Sequence, residues 1–182
     1  KRKLKFQKRM EHHVNAVWWR VKGVVDIDDW SDNKEWKSRL EPGLRYLSTV
    51  HFHDTGYWVW VIPLGSKNTS IGIVVDPAVH PLEEMNKYDK ALNWLEKNEP
   101  LCYKNLKPWG EGDGLMDFRV LNHFAHETER AFSEDRWGVV GEAGAFLDPY
   151  YSPGSDFIAL SNTWLSDLIL RDLKGEDISL RA

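Results

Sequence analysis

Between Tyr46 and Val75 the chain makes three short runs rich in β-branched and aromatic residues, separated only by turn-rich breaks. Tyr46 to His53 is the first, Tyr57 to Pro63 the second and Thr69 to Val75 the third. The breaks, Asp54-Thr55-Gly56 and Gly65-Ser66-Lys67-Asn68, carry residues that favour turns. Strands in such quick succession read as an antiparallel meander.

Residues 14 to 22 also alternate. Asn15, Val17, Trp19 and Val21 take one face, and Ala16, Trp18, Arg20 and Lys22 the other, which is strand periodicity. Val24 to Ile27 continues extended. Asp29 to Leu40 reads as a short helix with Ser31 or Asp32 as its N-cap, ended by Pro42-Gly43. From Pro81 to Leu95 the residues Leu82, Met85, Tyr88, Leu92 and Leu95 follow helical spacing, with Pro100 as the stop and a second short helix over 101–106. Residues 108–114 form a loop. Phe118 to Phe124 alternates as a strand, with the extended stretch running on as far as Ala131. A strand at 137–140, a loop, and a helix from about Gly154 to Leu173 complete the pattern. The expected class is α+β. An antiparallel sheet with helices occupies 1–135, and a strand–loop–helix of a second layer occupies 136–182.

Composition narrows the partners. The chain has 182 residues, 42% hydrophobic and 29% charged, with a net charge of −4. That balance points to neither nucleic acid nor a membrane surface. The basic start, Lys1 to Arg9, is too short to alter this and reads as a solvated strand. No apolar run approaches the ~18 residues that span a bilayer. A single cysteine, Cys102, forms no internal disulfide; it reads as a packed core residue in a reducing, cytoplasmic compartment. With no signal peptide and no initiator methionine, the chain reads as an excerpt. The anomaly is ten tryptophans, a surplus that suits a pocket for a flat aromatic ligand.

Several motifs dissolve on inspection. Gly110-Glu111-Gly112-Asp113-Gly114 follows no strand and opens no helix, both of which a dinucleotide loop needs, so it is a flexible turn. His51 and His53 share a strand face but have no third ligand at matching spacing. His123 and His126 straddle a strand end without ligand geometry. Asp26, Asp28 and Asp29 lack the spacing of a calcium loop. No metal is expected.

Two segments propose chemistry. In the first, Trp58 and Trp60 lie on one strand face beside Ile62, with Pro63 ending the pairing. Such a face is either sheet core or an aromatic wall beside a ligand. In the second, Trp137 to Val140 runs into Gly141-Glu142-Ala143-Gly144. A tight loop with Asp148-Pro149 and Ser152-Pro153-Gly154 then precedes the long helix. Backbone N–H groups at a helix N-terminus stabilise a phosphate, a halide or a flavin carbonyl. Small residues there let a large flat cofactor approach the main chain.

Trp58-x-Trp60-x-Ile62-Pro63 resembles the WxWxIP signature of flavin-dependent halogenases. Gly141 to Gly154 resembles their second flavin motif, GDAAGFxDPxxSxG, which is shared with the wider hydroxylase and reductase superfamily. The resemblance implies an FAD-dependent oxidoreductase of halogenase-like, monooxygenase type, whose N-terminal Rossmann half is missing from this chain. It implies that Gly141 and Glu142 lie near the ribityl-pyrophosphate, that Asp148, Pro149, Ser152, Pro153 and Gly154 line the isoalloxazine, and that Trp58, Trp60 and Tyr151 shape the reaction chamber. It further implies a small aromatic substrate, a flavin hydroperoxide, halide, and a separate flavin reductase. Three departures stand out. Glu142 replaces the usual Asp. Tyr151 occupies the position where tryptophan halogenases carry a Glu. Pro153 removes one main-chain N–H from the loop that holds halide in the family. The other reading is a non-catalytic module that binds aromatic ligands on the sheet without flavin.

Overall fold

The computed structural model describes residues 7, 8, 10–41 and 43–179. Apart from Gln7 and Lys8, the basic start lies outside the described residues, as does Pro42 of the expected Pro42-Gly43 stop. In chain order the elements are β1 (Gln7–Lys8), β2 (Asn15–Lys22), α1 (Lys34–Lys37), β3 (Val50–Asp54), β4 (Tyr57–Pro63), β5 (Asn68–Val75), α2 (Tyr88–Asn98), α3 (Pro100–Leu106), β6 (Leu115–Leu121), β7 (Glu127–Thr128), β8 (Phe132–Ser133), β9 (Trp137–Gly138) and α4 (Pro153–Leu173). They fall into two compact units. One is Val14–Asn122; the other comprises the described residues through His13 and from His123 onward.

The first unit is built on a five-stranded antiparallel sheet of order β3-β4-β5-β2-β6. The expected meander is therefore present, with β2 inserted at its far side against β5. Alternation sorts the residues into two faces. Val17, Trp19, Val21, Val59, Val61, Ile71, Ile73 and Val75 point to one face, where Met85, Ala91, Trp94, Leu95, Cys102 and Leu106 of the helical segments cover them. All are 3% exposed or less, and burying an aliphatic or aromatic side chain stabilises by about 1.5–3 kcal/mol. Cys102 is fully buried there, and burial pushes its thiol well above the ordinary range, as its reading as a core residue requires.

Boundaries moved where local hydrogen bonding overrode pattern. The first strand of the meander starts at Val50, because Arg45–Leu47 winds into a 3-10 turn. The N-cap of α1 is Asn33, whose Oδ1 accepts Trp36 N–H at 3.0 Å; Ser31 Oγ is spent on Asn33 N–H. The single helix expected over 81–95 is a 3-10 turn, Leu82–Glu84, and then α2, with fully buried Met85 at the break. Pro100 starts α3 rather than ending a helix, a place where its missing N–H costs nothing. The strand expected over 118–124 is β6, three residues earlier at each end, because its register against β2 runs from Leu115 opposite Val21 to Leu121 opposite Ala16. The extension toward Ala131 is replaced by β7 and β8.

In the second unit β1 pairs with β7, and β8 with β9, both antiparallel. Only Trp137 and Gly138 of the expected 137–140 strand pair as a strand. The segment after it turns as 3-10, Gly141–Ala143, and α4 runs for 21 residues as expected.

Candidate functional site

In the first unit, the sheet face away from the helices carries the aromatic motif. His53, Trp58, Val74, Ala16 and Leu121 form one cross-strand row, and His51, Trp60, Gly72, Trp18 and Arg119 the next. Trp58 and Trp60 therefore share a face, as the alternation requires. Their rings are 5.5 Å apart and tilted, and His51 meets Trp58 edge-on at 5.4 Å. Trp60 packs against the backbone: its Nε1–H donates to Ser70 Oγ at 3.1 Å, and a Cβ on Gly72 would come within 2.2 Å of Cζ2 and 2.3 Å of Cη2 of its six-membered ring. Glycine is needed at 72 for that close approach. Burial, with His53 adding to it, holds the His51 imidazole below its ordinary value, so the ring next to the tryptophans favours its neutral form. The same face is bordered by Arg20 and Asp117, joined at 2.6 Å; hydrogen bonding from the guanidinium holds the carboxyl below its usual range.

In the second unit, Gly141 to Gly154 makes the other candidate. Gly141 has φ +53, and a Cβ there would come within 2.7 Å of Ile158 Cγ1 of α4, so only glycine fits. Its N–H donates to Ser161 Oγ at 2.9 Å. The turn closes on itself through Gly144 N–H and Ala145 N–H, which both donate to Gly141 O at 2.9 and 3.1 Å. Next, Asp148 Oδ1 accepts Tyr150 N–H at 3.0 Å, and Asp148 Oδ2 lies 3.8 Å from His12 Nε2. Ser152 N–H donates to Pro149 O at 2.8 Å, closing the tight loop.

Tyr151 and Ser152 both adopt left-handed backbone, φ +61 and +57. Successive non-glycine residues in that region are strained, and such strain clusters at ligand clamps. Tyr151 is 78% exposed, with its ring against Tyr150 at 4.3 Å. Pro153 is the first residue of α4 and Gly154 the second. The space where a Gly154 Cβ would sit meets only Glu142 Oε1 at 3.8 Å, so Glu142 reaches the start of α4. A carboxylate is stabilised at a helix N-terminus.

The structure thus brings Gly141, Glu142 and Gly154 together and places Asp148, Pro149, Tyr151, Ser152 and Pro153 on one loop. Trp58 and Trp60 lie together in the other unit. Reading the sequence missed two residues that hold the turn. Ser161 shares a helix side with Leu165 and Leu168, which was the available signal. His126 was set aside for want of metal geometry, yet it bonds to the turn: its main chain pairs with Phe146 at 2.9 and 2.8 Å, and its Nε2 lies 3.0 Å from Glu142 O. Among the described residues no group of three or more His, Cys, Asp or Glu is placed to hold a metal ion, and no helix is long and apolar enough to cross a membrane.

No family model matches the chain. Individual proteins do. The flavin-dependent halogenase chlA of Dictyostelium discoideum is 37% identical over 123 residues, which is 66% of this chain and 20% of that protein. The monodechloroaminopyrrolnitrin halogenase PrnC of Pseudomonas fluorescens is 24% identical over 94% of this chain and 30% of its own length. The chain therefore spans a fifth to a third of these relatives. Among solved structures, halogenase PltM superposes with a TM-score of 0.75 over 96% of this chain and 35% of its own, at 17% identity. A flavoprotein/dehydrogenase from Cytophaga hutchinsonii gives 0.71 over 98% of this chain and 39% of its own, at 21% identity. The fold is thus shared by halogenases and another flavoprotein. Along nearly its whole length this chain is similar to the flavin-dependent halogenases, as its two motifs imply.

Proposed function

We propose that this chain is part of an FAD-dependent oxidoreductase of the halogenase-like group that acts on a small aromatic substrate. The observation that carries the reading is the Gly141–Gly154 segment. It combines a glycine turn that only glycine can make, a strained loop over Tyr151 and Ser152, and an open main chain at Gly154 on the first turn of α4. The open main chain at Gly154 fits a large flat cofactor, since a missing side chain leaves the backbone approachable, while Gly141, closed in by Ile158, sets the turn. Gly141, Glu142, Asp148, Pro149, Ser152, Pro153 and Gly154 would hold it. FAD, when bound, supplies the oxygen chemistry, and a separate flavin reductase supplies reduced flavin.

This chain's own residues bind, orient and exclude water. Half-buried Trp60, backed by buried Trp58, offers an apolar edge for an aromatic ring. Tyr151, exposed on the strained loop of the second unit, offers its ring beside Ser152–Gly154. Halide is the reagent the departures disfavour. Pro153 lacks a donor N–H, and losing one charge-assisted donor costs about 1.5–3 kcal/mol, or about 10- to 150-fold in affinity. The carboxylate of Glu142 near Gly154 adds a like charge to any anion there. Oxygen transfer to the ring is therefore favoured over halogen transfer.

The test uses full-length protein. A yellow preparation from which FAD is recovered supports the reading. Incubation with reduced flavin, oxygen and phenols, with and without chloride or bromide, separates products by mass. A hydroxylated product independent of halide supports oxygen transfer, and a halide-dependent mass gain supports halogenation. A colourless protein that still binds indoles or phenols would mean a non-catalytic aromatic-binding module.

A further inference from the structure

We infer that His126 is the positioning residue of the Gly141–Phe146 turn, holding in place the main chain that the flavin would meet. The inference rests on the flavin reading above and adds to it a residue outside the motif.

His126 grips the turn at both ends. Its main-chain N–H donates to Phe146 O at 2.9 Å and its carbonyl accepts Phe146 N–H at 2.8 Å, an isolated antiparallel bridge. Its ring Nε2 lies 3.0 Å from Glu142 O, and its Nδ1 lies 3.0 Å from Phe124 O. Carbonyl oxygens only accept, and a neutral imidazole carries one N–H, so the Nε2–H tautomer is the one that donates to Glu142 O. The ring also meets Phe146 edge-on at 6.1 Å, and Phe146 packs on Phe124 at 5.3 Å. Residues 142 and 146 are therefore tied to one side chain and one peptide sixteen to twenty positions upstream. From the other side, Ser161 of α4 holds Gly141 N–H.

Between these anchors the amides of Ala143, Gly144 and Ala145 are aimed by the turn alone, donating to Val140 O and Gly141 O. If the Glu142 carbonyl is released, the peptide plane between 142 and 143 is held only by the 3.1 Å bond from Ala143 N–H to Val140 O, and the turn that orders the following amides is loosened. A preorganised main chain binds a ligand more tightly because its ordering is already done.

The experiment uses full-length protein and three variants. H126F keeps the ring packing on Phe124 and Phe146 but has no N–H. H126Q has an amide that can reach Glu142 O. H126N, whose amide is too short, replaces H126F if the latter does not fold. FAD affinity is read by quenching of flavin fluorescence. Amide exchange at Ala143, Gly144 and Ala145 is read without FAD. H126F is expected to bind FAD about ten-fold or more weakly, with faster exchange confined to these amides, and H126Q to recover much of both.

Unchanged affinity and exchange in H126F overturn the inference. So does equal impairment of H126Q and H126F, or faster exchange spread over the whole chain, which marks a general structural role. If wild-type protein binds no FAD, the flavin reading falls and this inference with it. That outcome differs from wild-type binding with unaffected variants, which removes His126 alone.

Discussion

Replacing Gly72 by Ala tests the placement of Trp60. The indole packs against Gly72, and even the third-nearest ring atom, Cε2, would be 2.5 Å from the new Cβ. Two outcomes are open to the ring. If it stays, the overpacking costs about 1–3 kcal/mol. If it swings away, it loses the hydrogen bond to Ser70 Oγ, worth about 0.5–1.5 kcal/mol, and the contact with Trp58, worth a similar amount. Against either stands a gain of roughly 0.5–1 kcal/mol from removing a strand glycine. The net expectation is a loss of about 1–2 kcal/mol. Urea unfolding followed by far-ultraviolet circular dichroism measures it without relying on tryptophan emission. The same substitution in a Trp60→Leu background should be neutral or slightly stabilising, giving a coupling of about 1–3 kcal/mol. A Gly72→Ala protein as stable as wild type, with no coupling to Trp60, would refute the close approach.

Two further outcomes follow from a buried hydroxyl and a half-buried imidazole. Thr69 is fully buried; its Oγ1 accepts Val25 N–H and donates to Gly23 O, both at 2.9 Å. Thr69→Val keeps the shape, leaves both partners unmet and should cost about 2–4 kcal/mol, with Thr69→Ser much closer to wild type; equal losses in both variants would mean that packing, not the hydroxyl, matters. His51 is held below its ordinary value of 6.5 by burial and then by His53. The unfolded chain therefore binds that proton first. The contribution of neutral His51 is full above about 6.5 and is lost as pH falls through the lower, folded value. Wild type should lose stability on acidification below about pH 6.5 more steeply than His51→Gln, and parallel unfolding profiles for the two would contradict this.

Much of the first unit was legible because its faces are written in period two. Trp58 and Trp60 had to share a side, and Val59 and Val61 had to face the helices. The length of α4 was legible for the same kind of reason. What escaped were contacts between residues far apart in sequence. β6 shifted because its register is set by β2, not by its own alternation. The 81–95 helix broke because Met85 is drawn into the core. At the candidate site the glycines of the turn were readable, but its two anchors were not singled out. Ser161 had only its place on the side of Leu165 and Leu168 to mark it, and His126 acts through contacts with residues 142 and 146, far along the chain, which leave no spacing pattern in a sequence.

The position of β2 has a consequence for synthesis. It pairs on one side with β5 and on the other with β6, so Ala16 faces both Val74 and Leu121. A ribosome adding about 5–20 residues per second exposes β2 for some seconds before its first neighbour emerges, and for roughly twice as long before its second. During that interval β3, β4 and β5 can zip together hairpin by hairpin, while β2 carries Val17, Trp19 and Val21 with open edges. A nascent chain stalled at this stage would be the form most prone to pair with a stranger, and guarding the second edge of β2 until β6 arrives is the task this topology leaves to the cell.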